Sequence, residues 1–329
     1  MPTDPCHRLG ESDFHHSGPG YRLGEPGDPV VHAGPRQEPR IISVATPHAQ
    51  HLIELVAGED LFDSLTGLLD SCEVPGLVVD FLDGEFASLS YVHPAYGPDA
   101  AHPMSFTSEL SLEGPASLHR ASATVGVRDG TPFGHIHASW IAADGVTRGG
   151  HLLPGTLVGP SGMRLRVFAL AEARLVSELD EETGFSAFAP TPVGTPATTG
   201  TSVAIGTSAA IGAPAATEAA ADAIISRVRP GELIDEVILA TRRKAGFATA
   251  EVCASLGSTV GAVFTAGTAG WPAVEFTHLT GTVTDGLGEH PRVHLEAEVV
   301  DVAGQVHAGV LAERANPVAV TFELFVRRA

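Results

Sequence analysis

The chain of 329 residues is short of positive charge, cysteine, aromatics and long apolar runs. Its only lysine is Lys244, and Lys+Arg number 19 against 39 Asp+Glu, a net charge of -20. Nucleic-acid binding draws on phosphate neutralisation and counterion release, so this balance disfavours a polyanionic partner. The one basic cluster, Arg242-Arg243-Lys244, reads as a solvated helix surface. Cys6, Cys72 and Cys253 are far apart and form no Cys-x-x-Cys pair, which argues against a disulfide framework and for a reducing cytoplasm. No run of about 18 apolar residues occurs, so no transmembrane helix is expected. The start, Met-Pro-Thr-Asp-Pro, is not of signal-peptide type. Aromatics make up 6% and apolar residues 43%, so the cores are built from Val, Leu, Ala and Ile. There is no P-loop, no dinucleotide fingerprint and no Ser-His-Asp arrangement.

What the chain does contain is a histidine-rich block, Pro132 to Leu152, reading PFGHIHASWIAADGVTRGGHL. Side chains alternate along a strand, so His135 and His137 share a face. Ala143-Asp144-Gly145 suits a three-residue hairpin loop with Gly145 left-handed. That loop pairs Ala142 with Val146 and sets His137 opposite His151. Cross-strand partners share a face at about 5 Å between Cβ atoms. Three imidazoles would then converge on a Zn²⁺ site with an open fourth position. A two-residue loop would shift the register by one and send His151 to the other face. A bulge at Gly149-Gly150 would alter it too.

Residues 1–39 are rich in Gly, Pro and charge and read as a tail; His15, His16 and His32 lie in it. A second low-complexity stretch, within 179–223, reads as a flexible linker, with Asp180-Glu181-Glu182 solvated before it. The flanking segments, 40–178 and 224–329, resemble each other. Gly58-Glu59-Asp60-Leu61 and Gly231-Glu232-Leu233 each open an apolar-periodic helix. Each helix is followed by a Val-rich strand, a strand running into glycine (Gly114, Gly281) and a closing hairpin. One or two helices among many strands with hairpin-length loops predict an α+β fold with a mainly antiparallel sheet in each half.

These residues carry a family resemblance. Each half resembles the PPC ("plants and prokaryotes conserved") domain. The first half has the Gly58-to-Leu61 helix start and the long block Pro132, His135, His137, Asp144, Gly145, Gly149, Gly150, His151, Leu152. The second has Pro230-Gly231-Glu232-Leu233 and the closing hairpin. The resemblance implies two similar domains, each an antiparallel sheet flanked by helix, assembled as trimers, with metal held by the histidines in prokaryotic members. Plant members contact DNA through an Arg-Gly-Arg-Pro hook, which does not occur in these residues. In the second half, aligning Gly304 with Gly145 sets His294 against His135, Glu296 against His137 and Val310 against His151. Valine is no ligand, so the second site reads as degenerate unless His278 or His307 contributes.

The expectation is a cytoplasmic tandem-domain protein, a trimer-based homo-oligomer, with zinc on His135, His137 and His151. Its ligand would be a small anionic metabolite, and membrane and nucleic acid are not expected as partners. Glu109 is a candidate general base or a partner that orients a histidine. The loop bearing His93 and His102, with His119 beyond it, is a candidate wall. Hydrolase or lyase chemistry and a non-catalytic sensor or scaffold are not separated by the sequence; a DNA-associated regulator is the third reading.

Overall fold

Each half begins its core with a helix started by glycine. Gly58 takes φ 86° and Gly231 φ 84°, a left-handed turn that glycine adopts without steric cost. In the first half Asp60 then caps α1 (Leu61–Ser71), its side chain accepting from Phe62 N at 2.9 Å and Asp63 N at 3.1 Å. Leu61, Phe62, Leu65 and Leu69 form the buried stripe of α1. In the second half Leu233 occupies the cap position of α2 (Ile234–Ala245) and makes no side-chain cap bond. Losing such a cap costs about 1 kcal/mol, and Asp235 and Glu236 in the first turn offset part of it through the helix dipole.

The computed structural model describes residues 24–194, 220–284 and 291–329. The strands of the first part of the chain are β1 (Ile41–Thr46), β2 (His48–Leu55), β3 (Leu77–Val92), β4 (Pro94–Asp99), β5 (His102–Phe106), β6 (Leu110–Arg128), β7 (Thr131–Ile141), β8 (Thr147–Leu152), β9 (Leu157–Leu170), β10 (Ala173–Leu179) and β11 (Ser186–Pro192). Those of the second are β12 (Ala223–Val228), β13 (Ala250–Val252), β14 (Leu256–Thr259), β15 (Ala262–Phe264), β16 (Gly267–Ala269), β17 (Val274–Thr284), β18 (Arg292–Val300), β19 (Val306–Val310) and β20 (Val318–Arg328). The two main sheets share one strand order. The run β2-β9-β3-β6-β7-β8 matches β12-β20-β13-β17-β18-β19, with β14 also between β17 and β20. Pairing is antiparallel apart from β10 on β6. The described residues therefore form two main sheets of matching strand order, each mainly antiparallel with one helix on it.

The packing is helix, sheet, sheet, helix. On β7 the residues Ile136, Ala138 and Trp140 turn into the core under α1. On β20 the residues Phe322, Leu324 and Val326 turn into the core under α2. The opposite faces meet each other through a third apolar cluster, which includes Val78, Phe168, Ile225 and Phe325. By the two-residue period, His135 and His137 must lie in this layer between the sheets, and so must Glu323.

Three boundary expectations change. Residues 41–46 form β1, which pairs with β12 of the second sheet, from Ile41↔Val228 to Thr46↔Ala223. The stretch read as linker contains β11, paired along β10; residues 195–219 lie outside the described residues. The acidic run is not solvated at both ends. Asp180 and Glu182 are buried; Asp180 pairs with Arg227 (2.5 Å) and Arg229, and Glu182 with Arg40 (2.6 Å). Charges can enter an interior only when paired in this way. Arg242, expected on a solvated face, is fully buried, with its guanidinium donating to the Ala248 carbonyl. Of the tail, residues 24–39 pack on both halves: Gly27 N donates to Val260 O, His32 Nε2 meets Ala319 O at 2.7 Å, and Gly34 N donates to Glu182 O. His15 and His16 lie outside the described residues. No helix among the described residues is long and apolar enough to cross a membrane.

Candidate metal centre

The histidine hairpin forms in the register set by a three-residue loop. Ala142 N donates to Val146 O, Gly145 N donates back to Ala142 O, and Gly145 takes φ 77°. Trp140↔Arg148 and His137↔His151 follow along the ladder without a bulge. Gly149 and Gly150 keep β8 tight: a Cβ at Gly149 would meet Val300 of the second sheet, and one at Gly150 would meet the Val92 carbonyl. Bare backbone at these positions lets β8 lie against both β3 and the other half of the chain.

His135, His137 and His151 come together, with one ligand nitrogen of each within 4.8 Å of the others. The ring centroids of His135 lie 4.6 Å from His137 and 4.8 Å from His151. The second half supplies the groups around them. His135 Nδ1 lies 2.9 Å from Glu323 Oε1, and His137 Nδ1 lies 3.1 Å from the Phe276 carbonyl. A carbonyl or carboxylate oxygen only accepts, so both Nδ1 atoms carry the proton. Both Nε2 atoms then present lone pairs, and they face each other at 3.0 Å. Two lone pairs at that distance repel unless positive charge sits between them. The His151 Nδ1 and the Glu275 Oε2 are buried without a hydrogen-bond partner. Glu275 Oε1 lies 3.4 Å from His137 Nε2 and 3.9 Å from His151 Nδ1. The donor set, three imidazoles with carboxylate and carbonyl partners behind them, fits zinc or another divalent transition metal.

The electrostatics of the cluster are uneven. Burial, then repulsion by His135, His137 and Arg128, holds His151 well below the usual imidazole range, so it stays a neutral ligand at neutral pH. Burial also pushes His137 down, but the charge and hydrogen bond of Glu275 outweigh it and the net direction is up. Glu323 is pushed up by burial, but His135, Thr124 and His137 together pull it lower, so it stays ionised.

A cavity of about 80 Å³ opens on the three histidines. The β4–β5 hairpin forms one wall through Pro94, Met104 and Phe106, with the Phe106 ring 5.5 Å from that of His151. The long loop expected as a wall is thus a wall, but its apolar residues face the site. His102 pairs with Asp99 at the hairpin tip, and His119 pairs with Glu298 at 2.9 Å. Glu109 is exposed just before β6, where it accepts from the Ser90 hydroxyl at 2.6 Å; it does not line this cavity. In the second half Glu296 stands opposite Val310, as His137 stands opposite His151. His294 pairs with Glu296, and His307 with Asp301; neither they nor His278 join the three-histidine group. Glu275 and Glu323 escaped sequence reading. Their signal was a lone carboxylate in the apolar runs Pro-Ala-Val-Glu-Phe and Val-Thr-Phe-Glu-Leu, which a strand tolerates inside only beside a cation.

No curated protein matches the chain. Among solved structures, a metal-containing protein from Archaeoglobus fulgidus is similar at 22% identity, over 44% of this chain and 97% of its own, with a TM-score of 0.37. A protein from Ralstonia eutropha JMP134, provisionally called DNA-binding, is 18% identical over 44% of this chain and 94% of its own, with a TM-score of 0.35. A plant- and prokaryote-conserved (PPC) protein from Pyrococcus horikoshii is 17% identical over 43% and 90%, with a TM-score of 0.35. Residues 43–168, which hold α1 and all three histidines, match the Plants and Prokaryotes Conserved (PCC) domain.

Proposed function

We propose that this protein binds one divalent metal ion, zinc, through His135, His137 and His151, and that its open position receives a small molecule carrying an anionic head. The observation that carries the reading is the pair of Nε2 atoms at 3.0 Å, each with its ring proton committed elsewhere. Held by three neutral ligands, such an ion supplies Lewis acidity. The protein's own groups do the rest. Glu323 and the Phe276 carbonyl fix the tautomers of His135 and His137. Glu275, buried beside His137 and His151, is the carboxylate positioned to take or hold a proton at the open side. In this reading the second domain is a degenerate copy that completes the first copy's site, and hydrolase or lyase chemistry and metabolite sensing share the same geometry. We assign the protein to the cytoplasm and to a trimer of chains, following the domain family.

Elemental analysis of the purified chain is expected to find about one divalent ion per chain, and the H135A/H137A/H151A variant is expected to find none. Full metal content in that variant would place the metal elsewhere and sink the reading. The name of the Ralstonia protein raises DNA as a second ligand, against which the net charge of -20 stands; absence of a mobility shift at low salt would dismiss it.

A further inference from the structure

We propose that the molecule received beside the three histidines is amphipathic: one metal-binding head bearing at most one negative charge, on an apolar body. The proposal rests on the metal reading above and narrows its ligand.

The walls carry the argument. Away from the histidines the cavity wall is mainly apolar, through Pro94, Met104, Phe106, Phe185 and Val320, with Ser105, Ser186 and Ser258 among them. Phe106 keeps 37% of its surface exposed while its ring lies 5.5 Å from His151 and 5.9 Å from Phe185. A large ring held open above a metal site offers apolar surface to whatever enters. Charge is the second constraint. Among the described residues no lysine or arginine lines this cavity, and its charged wall residue is Glu275. The guanidinium that acts on His151 is Arg128. It lines a smaller neighbouring cavity that also touches His135, His151 and Glu323, where it is stacked 3.6 Å over Phe133 and donates to Ser177. A divalent ion would already face two buried carboxylates, Glu275 and Glu323, so a polyanion in the larger cavity would meet no basic wall residue there. The third constraint is polar. The Thr321 hydroxyl and Glu275 Oε2 are buried on this wall without hydrogen-bond partners. They provide one donor and one acceptor, enough for a single head group.

The test uses the full chain loaded with zinc, and alkyl hydroxamic acids, which give up one proton and bind zinc as singly negative heads, as probes. Calorimetric titration compares acetohydroxamate, hexanohydroxamate, inorganic phosphate and citrate, with zinc content measured on each sample. Full burial is worth roughly fourfold in affinity per methylene, so hexanohydroxamate, even partly covered, is expected to bind at least tenfold tighter than acetohydroxamate. Phosphate and citrate are expected to bind more weakly than either. F106S is expected to cut the chain-length gain at least threefold, and the zinc-free H137A variant to lose hexanohydroxamate binding. Equal affinity for the two hydroxamates, or tighter binding of citrate or phosphate, on protein that holds its zinc overturns this proposal and leaves the metal reading standing. Failure of the wild-type chain to retain zinc overturns the metal reading, and this proposal with it.

Discussion

Replacing Glu323 by glutamine isolates what the second half of the chain contributes to the histidine cluster. Glu323 is 2% exposed, and its Oε1 accepts from His135 Nδ1 at 2.9 Å and from Phe188 N at 3.4 Å. Glutamine keeps the volume and an oxygen that can accept both bonds, so the strand and the ring position survive. What disappears is a buried negative charge that water does not screen. That charge holds the proton on His135 Nδ1, so that Nε2 faces the ion, and compensates the ion beyond it. Partners of this kind are worth about 10–100-fold in metal affinity, which is about 1.4–2.7 kcal/mol at about 1.4 kcal/mol per decade. Competition with a chromophoric zinc chelator measures it directly, and a thermal melt of the metal-free variant checks the fold. Zinc affinity within twofold of the wild type, on a variant with an unchanged melt, would refute the idea that Glu323 acts through His135.

The buried ion pairs between the halves give a second expectation. Asp180→Asn leaves Arg227 and Arg229 facing a neutral group in the interior and is expected to cost about 3–5 kcal/mol in urea unfolding. Asp83→Asn, which breaks an exposed pair with Arg164, is expected to leave the unfolding midpoint unchanged. The same network sets a pH dependence. Asp180 and Glu182 are both pushed up by burial, but Arg227 acting on Asp180 and Arg40 acting on Glu182 pull them lower still. Groups depressed in the folded state contribute stability that is complete above their unfolded values, about 3.9 and 4.3, and lost as pH falls through those values and the folded ones. The urea midpoint is thus expected to hold between pH 7 and 5 and to drop below about pH 4; a midpoint that rises on acidification would contradict the assignment. Light scattering at micromolar concentration is expected to give the mass of a trimer of chains, and a monomer mass would end that expectation.

The chain's alternation and turn chemistry determined the local half of this site. Once Ala143-Asp144-Gly145 forms its loop, the two-residue period leaves one place for His151, opposite His137. The helix starts at Gly58 and Gly231 follow from patterns of the same short range. The tertiary structure decided the rest, because contacts between distant strands leave no periodic mark. Whether Glu275 and Glu323 face water or a histidine depends on which sheet covers theirs. Residues about 140 to 190 positions away along the chain supply that cover. The same holds for Asp180 and Glu182, which read as a solvated run until arginines from elsewhere meet them, and for β1, whose partner strand begins at Ala223. A sequence shows that a buried carboxylate needs a cation; only the packing of the two sheets says which one it finds.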